Sequence, residues 1–83
     1  MKYYQVGTTS NGDEYVSYAG TSIVEARKAL ENEKHAFKSL HPHDKKNTEI
    51  WGRVYDLPDD VDLNDEDELI NAICECIGYD DID

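Results

Sequence analysis

Charge is divided unevenly along this chain, and the division limits how the chain can fold. The segment from Asp56 to Asp83 contains twelve Asp or Glu residues and no Lys or Arg, a formal charge of −12. The segment from Met1 to Tyr55 contains seven acids and eight bases, a charge of +1, so the two segments sum to −11. Because isolated carboxylates are costly to bury, the second segment must keep most of its acidic side chains in solvent.

Length and composition indicate one small globular domain spanning residues 1–83. Hydrophobic residues make up 39% of the chain and aromatic residues 10%, which is enough for a thin core. No apolar run reaches the roughly 20 residues that cross a bilayer, and no apolar signal region is present at the start. Cys74 and Cys76 point in different directions on a helix, so we expect free thiols and a cytoplasmic protein.

The first two strands are predicted at Lys2–Thr8 and Glu14–Ala19, joined by a turn that contains Asn11-Gly12. Two turns compete for this hairpin. A two-residue Asn-Gly turn pairs Val6 with Ser17 and Tyr4 with Ala19.

The alternative is a three-residue Ser10-Asn11-Gly12 loop, which pairs Val6 with Val16 and Tyr4 with Tyr18. We favour it because it places all four of these apolar side chains on one face. It also sets Tyr15 opposite Gly7, where the ring would cover the glycine.

The rest of the chain alternates helix and strand. Ser22 and Glu25 form a capping box, which predicts a first helix from Ile23 to Leu40. A third strand follows at Thr48–Leu57, then an acidic loop at residues 56–64. Asn64 is the expected cap of a second helix, Asp65–Ile77, and a frayed acidic tail is expected at residues 79–83. The expected apolar face of the second helix consists of Leu69, Ile70, Ile73, Cys76 and Ile77.

The order β-β-α-β-α predicts an α+β fold, a three-stranded antiparallel sheet with two helices on one face. We expect Ile50 and Val54 of the third strand to lie under the first helix. The other sheet face would then be uncovered and form an aromatic interface patch. Its expected members are Tyr3, Tyr15, Trp51 and Tyr55.

Motifs for metal binding or catalysis are incomplete. Asp60, Asp62 and Asn64 begin like a calcium loop, but the glycine and the closing glutamate of that loop are missing. His41, His43 and the two cysteines do not follow a zinc-ligand spacing. We therefore expect no metal, no cofactor, no catalytic residue and no enzymatic activity.

Strong acidity argues against direct binding of nucleic acid or of an anionic membrane, and favours a protein partner with a basic surface. Closely spaced carboxylates present a field like that of a nucleic-acid backbone. The alternative is that these acidic residues only keep the protein soluble and stabilise the helix dipole. The expected acidic binding residues are Asp56, Asp59, Asp60, Asp62, Asp65, Glu66, Asp67, Glu68, Glu75, Asp80 and Asp81.

In size and charge, with the acidic run Asp56–Glu68 and the acids Asp80, Asp81 and Asp83, the chain resembles small acidic inhibitors carried by phages and mobile elements. These are the anti-CRISPR and anti-restriction proteins. The resemblance implies a DNA-mimic-like inhibitor that occupies the basic nucleic-acid-binding surface of a partner enzyme. The alternative function is a regulatory or assembly module, which would bind a protein partner or a second copy as a homodimer through the aromatic sheet face or a strand edge.

Overall fold

The computed structural model describes residues 1–75 and 80–82, and shows a four-stranded antiparallel sheet with helices. The strand order is β2-β1-β3-β4. The elements are β1 (Lys2–Ser10), β2 (Asp13–Gly20), α1 (Ile23–Lys38), α2 (Pro42–Lys46), β3 (Thr48–Asp56), α3 (Glu66–Glu75) and β4 (Asp80–Asp81). The predicted α+β class and the antiparallel sheet β2-β1-β3 are confirmed. The short helix α2 lies between α1 and β3, where no element was predicted.

The hairpin uses the two-residue turn, so the favoured three-residue loop is wrong. Asn11 and Gly12 have φ angles of 53° and 88°, as a type I′ turn requires, and Ser10 pairs with Asp13. A register shift between Val6 and Gly7 then moves the pairing by one residue.

This register shift allows the two-residue turn to coexist with packing of Tyr18 on the core. On the side of the shift nearer the turn, Gly7 pairs with Val16. On the far side, Val6 pairs with Tyr18, which packs on the core beside Val6. The bulge therefore returns Tyr18 to the buried face, whereas Val16 lies on the opposite face and is 54% exposed. The expectation that Val16 shares a face with Val6 is wrong.

The helix α1 covers one face of the sheet. Ala26 and Leu30 of α1 are buried against Tyr4 and Val6 of β1, and Ile50 and Val54 of β3 pack on the same cluster, as expected. Ser22 caps the helix by accepting a hydrogen bond from the Glu25 N–H (3.2 Å). In a capping box the Glu25 side chain would accept a hydrogen bond from the Ser22 N–H. Here the Ser22 N–H donates to the Tyr18 hydroxyl instead (3.2 Å).

The helix α3 packs on the other face of the sheet. The expectation that the two main helices lie on the same face is therefore wrong. Tyr3, Tyr55 and Leu57 are buried there, and Leu69, Ala72 and Ile73 of α3 pack against them. The reason is the alternation of the strands: Tyr3 and Tyr55 point away from α1, and burying their rings requires a second cover. Ile70, expected on the apolar face of this helix, is 55% exposed, and Cys76 and Ile77 lie outside the described residues.

Part of the predicted frayed tail is an edge strand with a buried side chain. Asp80 and Asp81 pair with Val54 and Arg53 of β3, and the Ile82 N–H donates to the Gly52 carbonyl (3.2 Å). Ile82 is only 8% exposed and belongs to the cluster under α1. A Cβ on Gly52 would lie 3.1 Å from the Ile82 Cβ, so glycine leaves the space in which Ile82 packs. Tyr79 and Asp83 of the predicted tail lie outside the described residues.

This packing makes Ile82 a stability determinant close to the end of the acidic segment. We expect Ile82→Ala to lower the free energy of unfolding by about 2–4 kcal/mol, as truncation of a buried isoleucine does. The matched control is Ile70→Ala on α3, which should cost less than about 0.5 kcal/mol because its side chain is already exposed. Equal urea midpoints for the two variants would contradict the docking of β4.

Candidate functional site

Nine acidic residues of the second segment form an exposed surface around the β3–α3 loop and helix α3, here called the acidic surface. All nine side chains are exposed. Asp80 lies at the register position of Val54, and Asp81 at that of Arg53, so β4 continues the acidic segment beside β3. The members of the acidic surface are Asp56, Asp59, Asp60, Asp62, Asp65, Glu66, Asp67, Glu68 and Glu75.

Three of these acids shape the loop and start the helix. Asp65, not Asn64, caps α3: its carboxylate accepts hydrogen bonds from the N–H groups of Asp67 (3.1 Å) and Glu68 (3.3 Å). Asp62 accepts from the Asn64 N–H (2.9 Å), and Glu68 accepts from the Asp62 N–H (3.2 Å). The negative side chains also suit the positive end of the helix dipole, so part of the acidic run has a structural role.

A fourth acid, Asp59, holds the start of the chain. The Met1 ammonium group lies 2.8 Å from the Asp59 carboxylate and 3.9 Å from that of Asp56, and it also donates to the Leu57 carbonyl. The hydrogen bond from the ammonium group, together with its charge, lowers the pKa of Asp59 below the usual aspartate value. Asp59 is therefore a link between the first strand and the acidic loop, as well as an exposed charge.

Four members of the acidic surface remain available to a partner. Within the described part of the chain, the carboxylates of Asp60, Glu66, Asp67 and Glu75 make no hydrogen bond or ion pair.

A groove of about 600 Å³ runs between the β3–α3 loop and α3. Val61 and Ala72 contribute apolar surface, and the carboxylates of Asp56, Glu68 and Glu75 also line the groove. This combination suits a cationic side chain with an apolar stem, such as Lys or Arg.

Of the two acids in the incomplete calcium motif, Asp60 and Asp62, only Asp62 makes a local hydrogen bond among the described residues. Asp62 accepts from the backbone of Asn64, as a turn-forming aspartate does. Among residues 1–75 and 80–82, no three His, Cys, Asp or Glu side chains are close enough to hold a metal ion. Cys74 is an exposed free thiol, and Cys76 lies outside the described residues.

The structure divides the four aromatic residues that were expected to form one patch. Tyr3 and Tyr55 are buried beneath α3, where burial raises the pKa of the Tyr3 hydroxyl. Tyr15 lies on the α1 face, because it pairs with Thr8, whose hydroxyl donates to Glu33 of α1 (3.0 Å). Only Trp51 remains on the part of the aromatic face that α3 leaves open.

Trp51 is part of a small ordered cluster, here called the Trp51 platform. Its ring lies over Gly7, where a Cβ would come within 2.5 Å of the ring, and its indole N–H donates to the Thr9 hydroxyl (3.0 Å). The Arg53 guanidinium stacks on the ring at 4.1 Å from the centroid and forms an ion pair with Glu14 (3.1 Å). The platform comprises Gly7, Thr9, Glu14, Trp51 and Arg53.

Hydrogen bonds and charge hold the Arg53 guanidinium in this platform. Burial alone would lower the pKa of Arg53, but hydrogen bonds to Glu14 and Tyr55 outweigh burial and raise it. The sequence contained a signal for this cluster, since Trp51 and Arg53 are two apart on one strand and must share a face. The partner Glu14 became identifiable only with the true hairpin register, in which Glu14 pairs with Thr9.

Comparison of the chain with known protein families, with curated proteins and with solved structures found no match. No helix among the described residues combines the length and apolar character needed to cross a lipid bilayer. The candidate functional surfaces are therefore identified from their residues alone. They are the acidic surface around α3 and the Trp51 platform on the open part of the sheet.

The link between Asp59 and the Met1 ammonium group should make stability depend on pH. Because the folded-state pKa of Asp59 is lowered, its stabilising effect is present above the unfolded pKa, near 3.8, and is lost as pH falls through the folded pKa. We expect Asp59→Asn to be less stable than the parent protein in urea at pH 6, and the difference to shrink as pH falls below about 3.8. A difference of constant size across this range would show that the carboxylate charge is not the cause.

Proposed function

We propose that this protein is a binding protein whose acidic surface occupies the basic nucleic-acid-binding surface of a partner protein, and so inhibits it. The proposal rests on one observation: nine exposed carboxylates surround α3, in a segment without a single Lys or Arg. This is the function of the anti-CRISPR and anti-restriction type of inhibitor that the sequence resembles in character.

The density of charge supports this proposal. Asp65 to Glu68 are four consecutive acids at the start of α3. With a helical rise of about 1.5 Å per residue, they place roughly one negative charge per 1.5 Å of axis. Duplex DNA carries about one charge per 1.7 Å of its axis. A basic groove that accommodates DNA phosphates therefore meets a similar local density of negative charge here.

The positions of the non-structural acids favour binding over mere helix stabilisation. Glu75 lies nine positions after Glu66, the first residue of α3, too far along the helix to be stabilised by its positive end, and Asp60 lies in the loop before the helix. Neither residue is explained by capping. Both carboxylates instead add to the outward-facing negative field of the acidic surface.

The acids that hold the loop together should be left intact when the proposal is tested. A double variant, Asp60→Lys with Glu75→Lys, removes two carboxylates that make no hydrogen bond or ion pair among the described residues, and changes the net charge from −11 to −7. We expect association with a nucleic-acid-binding partner to slow by about tenfold or more at low salt, because long-range steering precedes contact. Stopped-flow or biosensor kinetics on a partner isolated from a bacterial lysate measures this.

The matched control reverses two exposed acids elsewhere, Glu31 on α1 and Glu49 on β3, and gives the same net charge of −7. It should leave the association rate within about twofold of the parent value. The parent complex should also weaken steeply with salt and exclude the partner's nucleic acid. A partner that binds this protein and its nucleic acid together would overturn the proposal, as would equal effects of the two double variants.

A second candidate function is a module that binds a protein through the Trp51 platform. The observation in its favour is that a Trp ring, a stacked Arg and a paired Glu are held in fixed positions on an open sheet face. Trp and Arg are the residues that most often dominate protein interfaces. The neighbouring edge of β3 adds a groove of about 590 Å³, lined in part by Glu49 and Ile50.

This candidate predicts a partner that resists salt. We expect Trp51→Ala to weaken such a complex by about 2 kcal/mol, roughly thirtyfold, while Tyr15→Ala on the other sheet face leaves it unchanged. Titration calorimetry at 0.5 M salt measures both. Because Trp51 also covers Gly7, circular dichroism must first show that the variant is folded. Equal affinity of Trp51→Ala and the parent would exclude the platform.

A further inference from the structure

The strand β2 has an open edge along its whole length. It is the outermost strand in the order β2-β1-β3-β4, and no described residue forms a strand on its outer side. Two apolar side chains are exposed on it, Tyr15 at 60% and Val16 at 54%. They lie on opposite faces of the sheet, since Tyr15 pairs with Thr8 and Val16 with Gly7. A strand added at this edge would cover both.

Little in the sequence of β2 blocks such pairing. Natural edge strands are protected by Lys, by Pro, by inward charges or by bulges. β2 contains no Lys, Arg or Pro, and the six residues from Tyr15 to Gly20 carry no charge. The register shift beside Val6 and Gly7 is the one protective feature, and it leaves the start of the strand regular.

The distribution of charge fits a second copy of this chain as the occupant. The charges of β2, Asp13 and Glu14, are both at its start. When two copies pair antiparallel, the charged start of one strand lies opposite the neutral end of the other, so like charges do not face each other. Tyr15 and Tyr18 share the α1 face, which brings aromatic rings of the two copies together across the twofold axis.

The position of β2 in the sheet also keeps the acidic surfaces apart. β2 and β4 are at opposite edges, and β4 belongs to the segment of charge −12. Repulsion between two chains of charge −11 is therefore smallest when they approach through β2.

We infer that two copies of this chain associate through antiparallel pairing of β2 with β2. The resulting sheet is continuous across the twofold axis, with an acidic surface toward each end. The dimer is a bivalent ligand, able to engage two basic surfaces at once, and that consequence rests on the proposed function. The dimer itself does not depend on it.

Sedimentation velocity over a range of protein concentrations tests this association directly. We expect the 9.5 kDa chain to convert to a dimer as its concentration rises, and the dimer to be favoured by added salt, because screening reduces repulsion between the two chains. Added salt weakens a complex made by the acidic surface, so the two interactions respond in opposite directions. Failure of one is distinguishable from failure of the other.

Matched substitutions locate the interface. Val16→Lys and Tyr15→Lys should each raise the dimer dissociation constant tenfold or more, since a lysine on an edge strand opposes the pairing of a second strand. Ile70→Lys is the control: Ile70 on α3 is 55% exposed, like Val16, and the charge change is the same. It should leave the dimer unchanged.

Hydrogen exchange gives an independent readout. Backbone amides of β2 should gain protection as the protein concentration rises, while those of α3 should not. A protein that stays monomeric up to millimolar concentration at high salt would overturn the inference. Equal weakening by Ile70→Lys and Val16→Lys, or concentration-dependent protection confined to α3, would do the same.

Discussion

The alternation of side chains along β1 is the constraint on which this fold depends. Tyr4 and Val6 point to one face and Tyr3 to the other, and all three are buried. A chain of 83 residues must therefore cover both faces of one short strand. It does so with α1 on one side and α3 on the other, while β2 and β3 pair with both edges of β1. The resulting core is thin and two-sided, as expected for so small a domain.

Local signals in the sequence were sufficient for β1, β2, α1, β3 and α3, but not for α2, β4 or the arrangement of the elements. The Ser22 cap and the position of Ile50 and Val54 beneath α1 were correctly predicted from the sequence. The hairpin register did not, because a bulge let a two-residue turn and a continuous apolar face coexist. Without a bulge, a two-residue turn and a continuous apolar face exclude each other, so the sequence alone favoured the wrong turn.

The placement of α3 was the larger error, and its cause is physical. Tyr3 and Tyr55 were interpreted as interface residues, because aromatic residues serve both as cores and as binding surfaces. Only their contacts with Leu69, Ala72 and Ile73 distinguish the two uses. Ile82 was missed for a related reason: one apolar residue among acids carries no periodicity, yet it fills the space that Gly52 leaves.

The acidic segment has a consequence for how binding and folding are coupled. It leaves β3 at Asp56, covers Tyr3 and Tyr55 with α3, and returns to β3 through β4. It is thus anchored on one strand at both of its ends. Opening this segment would expose the rings beneath α3 while the β1–β2 hairpin stays paired, which is the behaviour of a separate cooperative unit. A partner that binds only the closed segment would shift this opening equilibrium by mass action, so occupancy of the acidic surface would also tighten the core beneath it.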